Sequence, residues 1–527
     1  MSFFSLIFLA FLAILVIVYF RIPKRFQWIC LLIASYVFYL WGGKWQALIF
    51  LLTTTATVFL GGLAMDRIQG GIRLPDNADK AAKKQAKEAA QKRKKRVMVL
   101  IIVINLFLLG LVKYAAFIIT SVNGLLAEGS AIPVPSIIVP LGISFYTFQS
   151  LGYIIDVYRG KVKADRNFFK FALFVSYFPQ IVQGPISRYG QLAHQLYEEH
   201  SFDYKRVRFG AERMLWGFFK KIVIADRIAI LVDHVFGNYA QNGYAGLTVF
   251  IGVLLYSIQI YVDFASGMDI AIGISQIFGI EQVENFRQPF MAKSVADFWR
   301  RWHITLGAWM KEYVFYPIAL SKPFNRMGKS LRKVFGTKAG KIIPTSIASF
   351  IVFLLVGVWH GASWNFVVYG VYQAIFVSTH TLFDGLYAKM RKGCHVNEES
   401  VSWKIFQILR TVLIITIGRY LTRATSFTQA WDMWGATFKQ FNPWVIFDGT
   451  LFNLGLSPAN FVLMIVLIAV VFIVDFCHER GIRFRERIDR TDIVFRWFLY
   501  FVLLFGIIIF GIYGPGYSAG NFIYQGY

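Results

Sequence analysis

Long apolar runs recur from one end of this sequence to the other, and they leave few folds open. They stand at 3–20, 27–41, 46–64, 97–125, 141–160, 245–279, 343–359, 364–387, 403–421, 460–476 and 493–513. A helix crosses the hydrocarbon layer with about 20 predominantly apolar residues. Backbone polar groups find no water there, so only helices and closed barrels cross. A barrel would show alternating segments of about ten residues, which this sequence lacks. The chain therefore reads as an all-α polytopic membrane protein. Charged residues are only 16% of it, against roughly 25% in globular proteins. There is no clear repeat and no stretch for a soluble domain, so 1–527 reads as one membrane-embedded domain.

The net charge of +26 could suggest nucleic acid in a soluble protein. Here the Lys and Arg cluster between apolar runs, the positive-inside pattern that faces anionic lipids. No nucleic-acid recognition motif accompanies them. The first run has no basic segment before it and Arg21, Lys24 and Arg25 behind it. That order predicts a retained helix with the N-terminus outside, not a cleaved signal. The segment 65–96 reads as a basic cytoplasmic loop. Residues 71–96 hold ten Lys or Arg and three acids, and their Ala, Lys and Gln content favours helix. A solvated topology anchor explains this segment more simply than a docking arm. Cys30, Cys394 and Cys477 are scattered, so neither a disulfide framework nor a metal site is expected.

Three polar interruptions matter. In FPQIVQGPISRYG (178–190), Pro179, Gly184 and Pro185 exclude a regular helix. Such backbone survives at membrane depth only when buried in protein or lining water, so a re-entrant turn is expected. In YVDFASGMDIAIG (261–273), Asp263 and Asp269 flank Gly267. A kinked or broken helix is expected there, with helix-end capping by the carboxylates a simpler reading than metal binding. ENFRQPF (284–290) is the third.

The region 297–370 stands out as the active-site core. It begins DFWRRWHITLGAWMKEYVFYPIAL, continues through a loop at 321–342 with seven basic residues and no acid, and ends VGVWHGASWNFVVYG. His303 and His360 each directly follow a tryptophan, Trp302 and Trp359. Ionisable groups in membrane segments are costly unless they face a cavity or a partner, so each histidine is a functional candidate. The plain alternative is a histidine hydrogen-bonded inside a bundle. A helix starting near 343 would carry His360 roughly 25 Å from its basic end, beyond mid-membrane. The aromatics and charges of 297–316 suit an interfacial or partly re-entrant helix. The other six histidines lie in polar contexts or at a span end without flanking glycines.

LLIASYVFYLWGG (31–43), LGISFYTFQSLGYIIDVYRG (141–160), FPQIVQGPISR, YVDFASGMDIAIG, ENFRQPF, FWRRWHITL and GVWHGASW follow one another in order. Together they resemble the membrane-bound O-acyltransferase (MBOAT) family. The resemblance is to its bacterial branch, which includes the alginate O-acetyltransferase membrane subunit and the teichoic acid D-alanyl transferase. It implies a ring of roughly 11–12 transmembrane helices around a thinned centre, with re-entrant and interfacial helices. It implies a multi-pass protein of the bacterial inner membrane, with His360 as the catalytic histidine and His303 as the second. Trp302, Trp359, Asn285 and Asp269 are the candidate substrate-binding residues. The implied reaction moves an acetyl group from a cytoplasmic thioester to a hydroxyl of an extracytoplasmic polysaccharide. The donor would be acetyl-CoA, with no cofactor bound permanently. Membrane lipids and a secreted or membrane-anchored acetyl-transfer protein would be its partners.

A neutral imidazole can take a hydroxyl proton near pH 7. His360 is assigned that role, and His303 would orient the donor or stabilise the oxyanion. An acyl-histidine intermediate is the other route. After YVFYPI this chain continues ALSKPFNRMGK, where the alginate type has LGGNR, which leaves the acceptor open. D-alanyl transfer from a carrier-protein thioester is the alternative reaction. A non-catalytic transporter or scaffold is the alternative class.

Overall fold

The computed structural model describes residues 3–71, 79–126 and 130–513. Among them, the regular structure is helical apart from one isolated bridge between Phe286 and Trp302. Among the described residues, eight helices are long and apolar enough to cross a membrane. They are Ala47–Gly70, Lys80–Asn123, Gly246–Ile277, Lys322–His360, Trp364–Gly393, Val401–Arg423, Pro458–Glu479 and Ile493–Phe510. The runs at 3–20, 27–41 and 141–160 form shorter helices of 16, 16 and 17 residues. The chain is a multi-pass membrane protein.

The helix favoured by the composition of 71–96 is present from Lys80, and the basic segment 321–342, read as a loop, is largely helical too. Residues 65–70 end one helix and 80–96 begin Lys80–Asn123, while 72–78 lie outside the described residues. Asp79 starts that helix, its carboxylate accepting from Ala82 N–H at 2.6 Å. Such a cap is worth about 1 kcal/mol, and the Ala- and Lys-rich turns behind it offer little resistance. Lys322–His360 is two helices joined at Gly336, whose φ of 81° suits glycine alone among common residues. In a straight helix Gly328 and Gly340 would stand about 18 Å apart. Instead, a Cβ on Gly328 would lie 2.8 Å from Gly340 O. The segment therefore doubles back as a hairpin.

The helix Gly246–Ile277 runs unbroken through Gly267, contrary to the expected break. Asp263 and Asp269 cap no helix end. Each is paired in mid-helix, Asp263 with Lys221 at 2.7 Å and Asp269 with Arg213 at 2.8 Å. Pairing these carboxylates removes the reason for a break, because a buried charge is costly only when unpaired.

Contacts divide the chain into two units. The first comprises Met1–Met214 with Met268–Val283. Tyr153 knits its centre, with ring centroids 4.7 Å from both Phe171 and Tyr189, and its hydroxyl accepts from Asp165 N–H at 2.8 Å. The interruption at 178–190 is present. Phe178–Ile181 is a single turn, and 182–188 is non-helical. Residues 181–187 are all buried in protein, which is the condition for irregular backbone at membrane depth.

The second unit comprises Leu215–Gly267 with Glu284–Tyr527. It contains a π-helical turn, Phe219–Ala225. Lys221 on that turn bridges Asp226 at 2.9 Å and Asp263 at 2.7 Å, all three buried. The helices ending at His360 and beginning at Trp364 pack backbone to backbone. A Cβ on Gly357 would fall 2.5 Å from Gly370 Cα, so any side chain there would push the pair apart. Ser378 Oγ donates to Ser346 O at 3.1 Å further along the same pair. This unit holds both tryptophan-flanked histidines.

Candidate active site

Residues 285–287 and 301–304 lie antiparallel. Arg287 N–H donates to Arg301 O at 2.9 Å, and Ile304 N–H donates to Asn285 O at 3.0 Å. This pairing splits the expected interfacial helix into Val295–Arg301 and Ile304–Met310. His303 sits at the break with φ 48° and ψ 53°. A left-handed residue other than glycine costs of order 1–3 kcal/mol and persists only where its surroundings hold it.

What holds it is Asn285. Its Oδ1 faces Thr305 N at 3.0 Å, Thr305 Oγ1 at 2.9 Å and His303 Nδ1 at 3.2 Å. Asn285 is 0% exposed and His303 1%. The Phe264 ring meets the imidazole edge-on at 4.8 Å. Burial pushes the His303 pKa below the ordinary imidazole value, so the ring is neutral near pH 7.

His360 is the last residue of its helix and is 6% exposed. The Trp359 indole packs on both imidazoles, 5.8 Å from His303 and 4.9 Å from His360. The two histidines, 57 positions apart in sequence, thus share one aromatic wall. Trp302 lies beside them, stacked on Phe298 at 5.4 Å and approached edge-on by Phe286 at 5.1 Å.

The membrane-bound O-acyltransferase family profile matches residues 161–420, which include both histidines. A probable alginate O-acetylase of Pseudomonas syringae is 32% identical over 474 residues, 89% of this chain and 81% of that protein. A peptidoglycan O-acetyltransferase of Helicobacter pylori is 32% identical over 312 residues, 54% of this chain and 55% of that protein. A teichoic acid D-alanyltransferase of Bacillus subtilis is 29% identical over 248 residues, 46% of this chain and 59% of that protein. The chain belongs to the membrane-bound O-acyltransferase family. It is an acyltransferase.

Of the residues singled out in this acyltransferase's sequence, the structure brings together His303, His360, Trp302, Trp359 and Asn285. Asn285 turns its amide oxygen onto His303 and Thr305. Asp269 belongs to the other unit, where Arg213 holds it. Among the described residues, no group of three or more His, Cys, Asp or Glu could hold a metal.

Arg419 was passed over in the sequence and belongs to the cluster. It is 3% exposed, its guanidinium carbon 5.2 Å above the Trp302 ring. Its Nη1 donates to the Tyr369 hydroxyl at 3.4 Å, and the Tyr369 ring lies 6.4 Å from His360. The signal was available: an arginine within the apolar run 403–421, where a charge marks function by default. The cluster thus combines two buried imidazoles, indole walls and one buried cation. That set can move a proton and stabilise negative charge.

Proposed function

We propose that this protein transfers an acetyl group from acetyl-CoA, on the cytoplasmic side, to a hydroxyl of an extracytoplasmic polysaccharide. The acetyl group passes directly or through a secreted or membrane-anchored partner protein. The reading rests on one observation above all, the shared packing of His303 and His360 on Trp359. The broad match to the alginate O-acetylase supports acetyl as the group moved. The D-alanyl relative supports the alternative more weakly, since its match covers under half of this chain.

In the proposed step, an imidazole nitrogen of His360 takes the hydroxyl proton as the oxygen attacks the thioester carbonyl. The tetrahedral intermediate collapses, the C–S bond breaks, and the departing thiolate takes the proton back from the imidazolium. The products are an ester and a free thiol. In this reading the basic segment before this helix lies in the cytoplasm, as the positive-inside rule favours, the N-terminus lies outside, and the protein sits in the bacterial inner membrane. His360 then stands roughly 28 Å along its helix from Lys341, toward the far face.

The test uses membranes carrying the full chain, labelled acetyl-CoA and mass spectrometry of cell-envelope glycans. His360→Ala is expected to lower acetyl transfer by at least about 100-fold, the usual range for losing a general base. His303→Ala should also lower it. Near-normal transfer by His360→Ala would remove His360 as the base, and no acetyl label on the glycans with the unaltered chain would remove the proposal. An alanyl in place of an acetyl mass on the polymer would replace acetyl with the D-alanyl reading.

A further inference from the structure

The Asn285 amide decides which nitrogen of His303 carries hydrogen. Thr305 N–H can only donate, so the Asn285 atom facing it at 3.0 Å is oxygen, not nitrogen. That same oxygen faces His303 Nδ1 at 3.2 Å. Two lone-pair atoms in contact would repel, so Nδ1 carries the hydrogen. In the neutral ring the other nitrogen, Nε2, then has a lone pair and no hydrogen. The Thr305 hydroxyl donates to the same oxygen at 2.9 Å, which further holds the amide in this orientation.

We propose that Asn285 is a positioning residue that fixes His303 as its Nδ1–H tautomer. His303 thereby presents Nε2 as a hydrogen-bond acceptor to an N–H or O–H group of a bound substrate. This separates two roles open for His303. A neutral ring with bare Nε2 cannot donate to an oxyanion, but it can orient a substrate by accepting from it. The substrate group is either an amide N–H of the thioester donor's arm or a hydroxyl of the acceptor. The substrate part rests on the acyl-transfer reading. The tautomer does not.

Two measurements test this on the full chain in lipid. The first is nitrogen-15 NMR of histidine-labelled protein, with His303 assigned by its loss in His303→Gln. A protonated Nδ1 and a bare Nε2, lost in Asn285→Leu, are expected. A proton on Nε2 overturns the proposal.

The second is kinetics of Asn285→Leu and Asn285→Asp. Leu cannot accept from the ring, and KM should rise at least about tenfold for one substrate, matching the loss of one good hydrogen bond. A rise for acetyl-CoA identifies the donor's N–H, and a rise for the polysaccharide identifies the acceptor's O–H. A fall in kcat with both KM values unchanged overturns the substrate-holding role. Asp accepts from the same three donors, and its carboxylate favours the imidazolium. The acid limb of activity should therefore move up by roughly one pH unit or more. Other charged or titratable groups near the ring are His360, across Trp359, and Arg419, over Trp302, and they are common to both forms. An Asp variant as inactive as Leu at every pH, or active with an unmoved limb, reduces Asn285 to a structural group. If His360→Ala and His303→Ala both transfer acetyl at the full rate, the placement of acyl transfer at these histidines fails instead, and the NMR result still stands.

Discussion

Asn285 in one unit and Gln180 in the other carry the same primary amide and are buried alike, 0% and 1% exposed. Their surroundings differ completely. Three donor atoms crowd the Asn285 oxygen. Gln180, and Gln183 three residues on, find no hydrogen-bond partner among the described residues for either end of their amides. A buried amide left unbonded costs about 1–3 kcal/mol, whereas a bonded one contributes modestly. Burial alone therefore does not tell what a polar group does. The Asn285 amide has a direction and imposes it on His303. The two glutamines are held by packing alone and impose no direction on their segment.

The sharpest way to probe that contrast is with a buried ion. Lys221→Met would strand Asp226 and Asp263 together. The expected loss is roughly 3–5 kcal/mol, seen as a large fall in the unfolding temperature in detergent. An unchanged melt would mean the bridge contributes nothing. Asn285→Leu comes next. It strands Thr305 N–H and His303 Nδ1–H, and the expected cost is of order 1–3 kcal/mol per stranded donor. Thr305→Val removes the hydroxyl but keeps the backbone donor. It should cost about 1 kcal/mol and leave the His303 tautomer intact in the NMR measurement. Gln180→Met and Gln183→Met make nearly the change made by Asn285→Leu, amide to apolar group of similar shape. They should be neutral or raise stability by about 1 kcal/mol, since replacing an unbonded polar group relieves its burial. If these methionines destabilise as much as Asn285→Leu does, the contrast between the two regions is broken.

Much of the fold was legible in composition. The apolar runs mark the spanning helices, and Pro179 and Pro185 mark the interruption in the first unit, because a proline ring blocks helix whatever surrounds it. Local rules misled where partners lay far away. Gly267 between two aspartates looked like a break, yet Lys221 and Arg213 neutralise those carboxylates and the helix continues. The basic segment 321–342 looked like a loop, since charge suggests solvent, but charge by itself does not oppose helix, whereas the Ala and Lys content of 71–96 already pointed to one. In the site, both histidines and their tryptophans were visible as ionisable groups in apolar surroundings. Arg419 carried the same signal and went unread. The bond from Asn285 to His303 was not visible at all.

Length, apolarity and proline placement act over a few residues, so the sequence by itself determined a helical, many-times-spanning protein with two tryptophan-flanked imidazoles. Only the tertiary structure decided which buried polar groups meet. A hydrogen bond requires its two atoms within about 3 Å at a set angle, and no spacing along a chain specifies that. Hence the Trp359 wall between the imidazoles, the Lys221 bridge and the hydrogen on His303 Nδ1 were settled by the packing of segments distant in sequence.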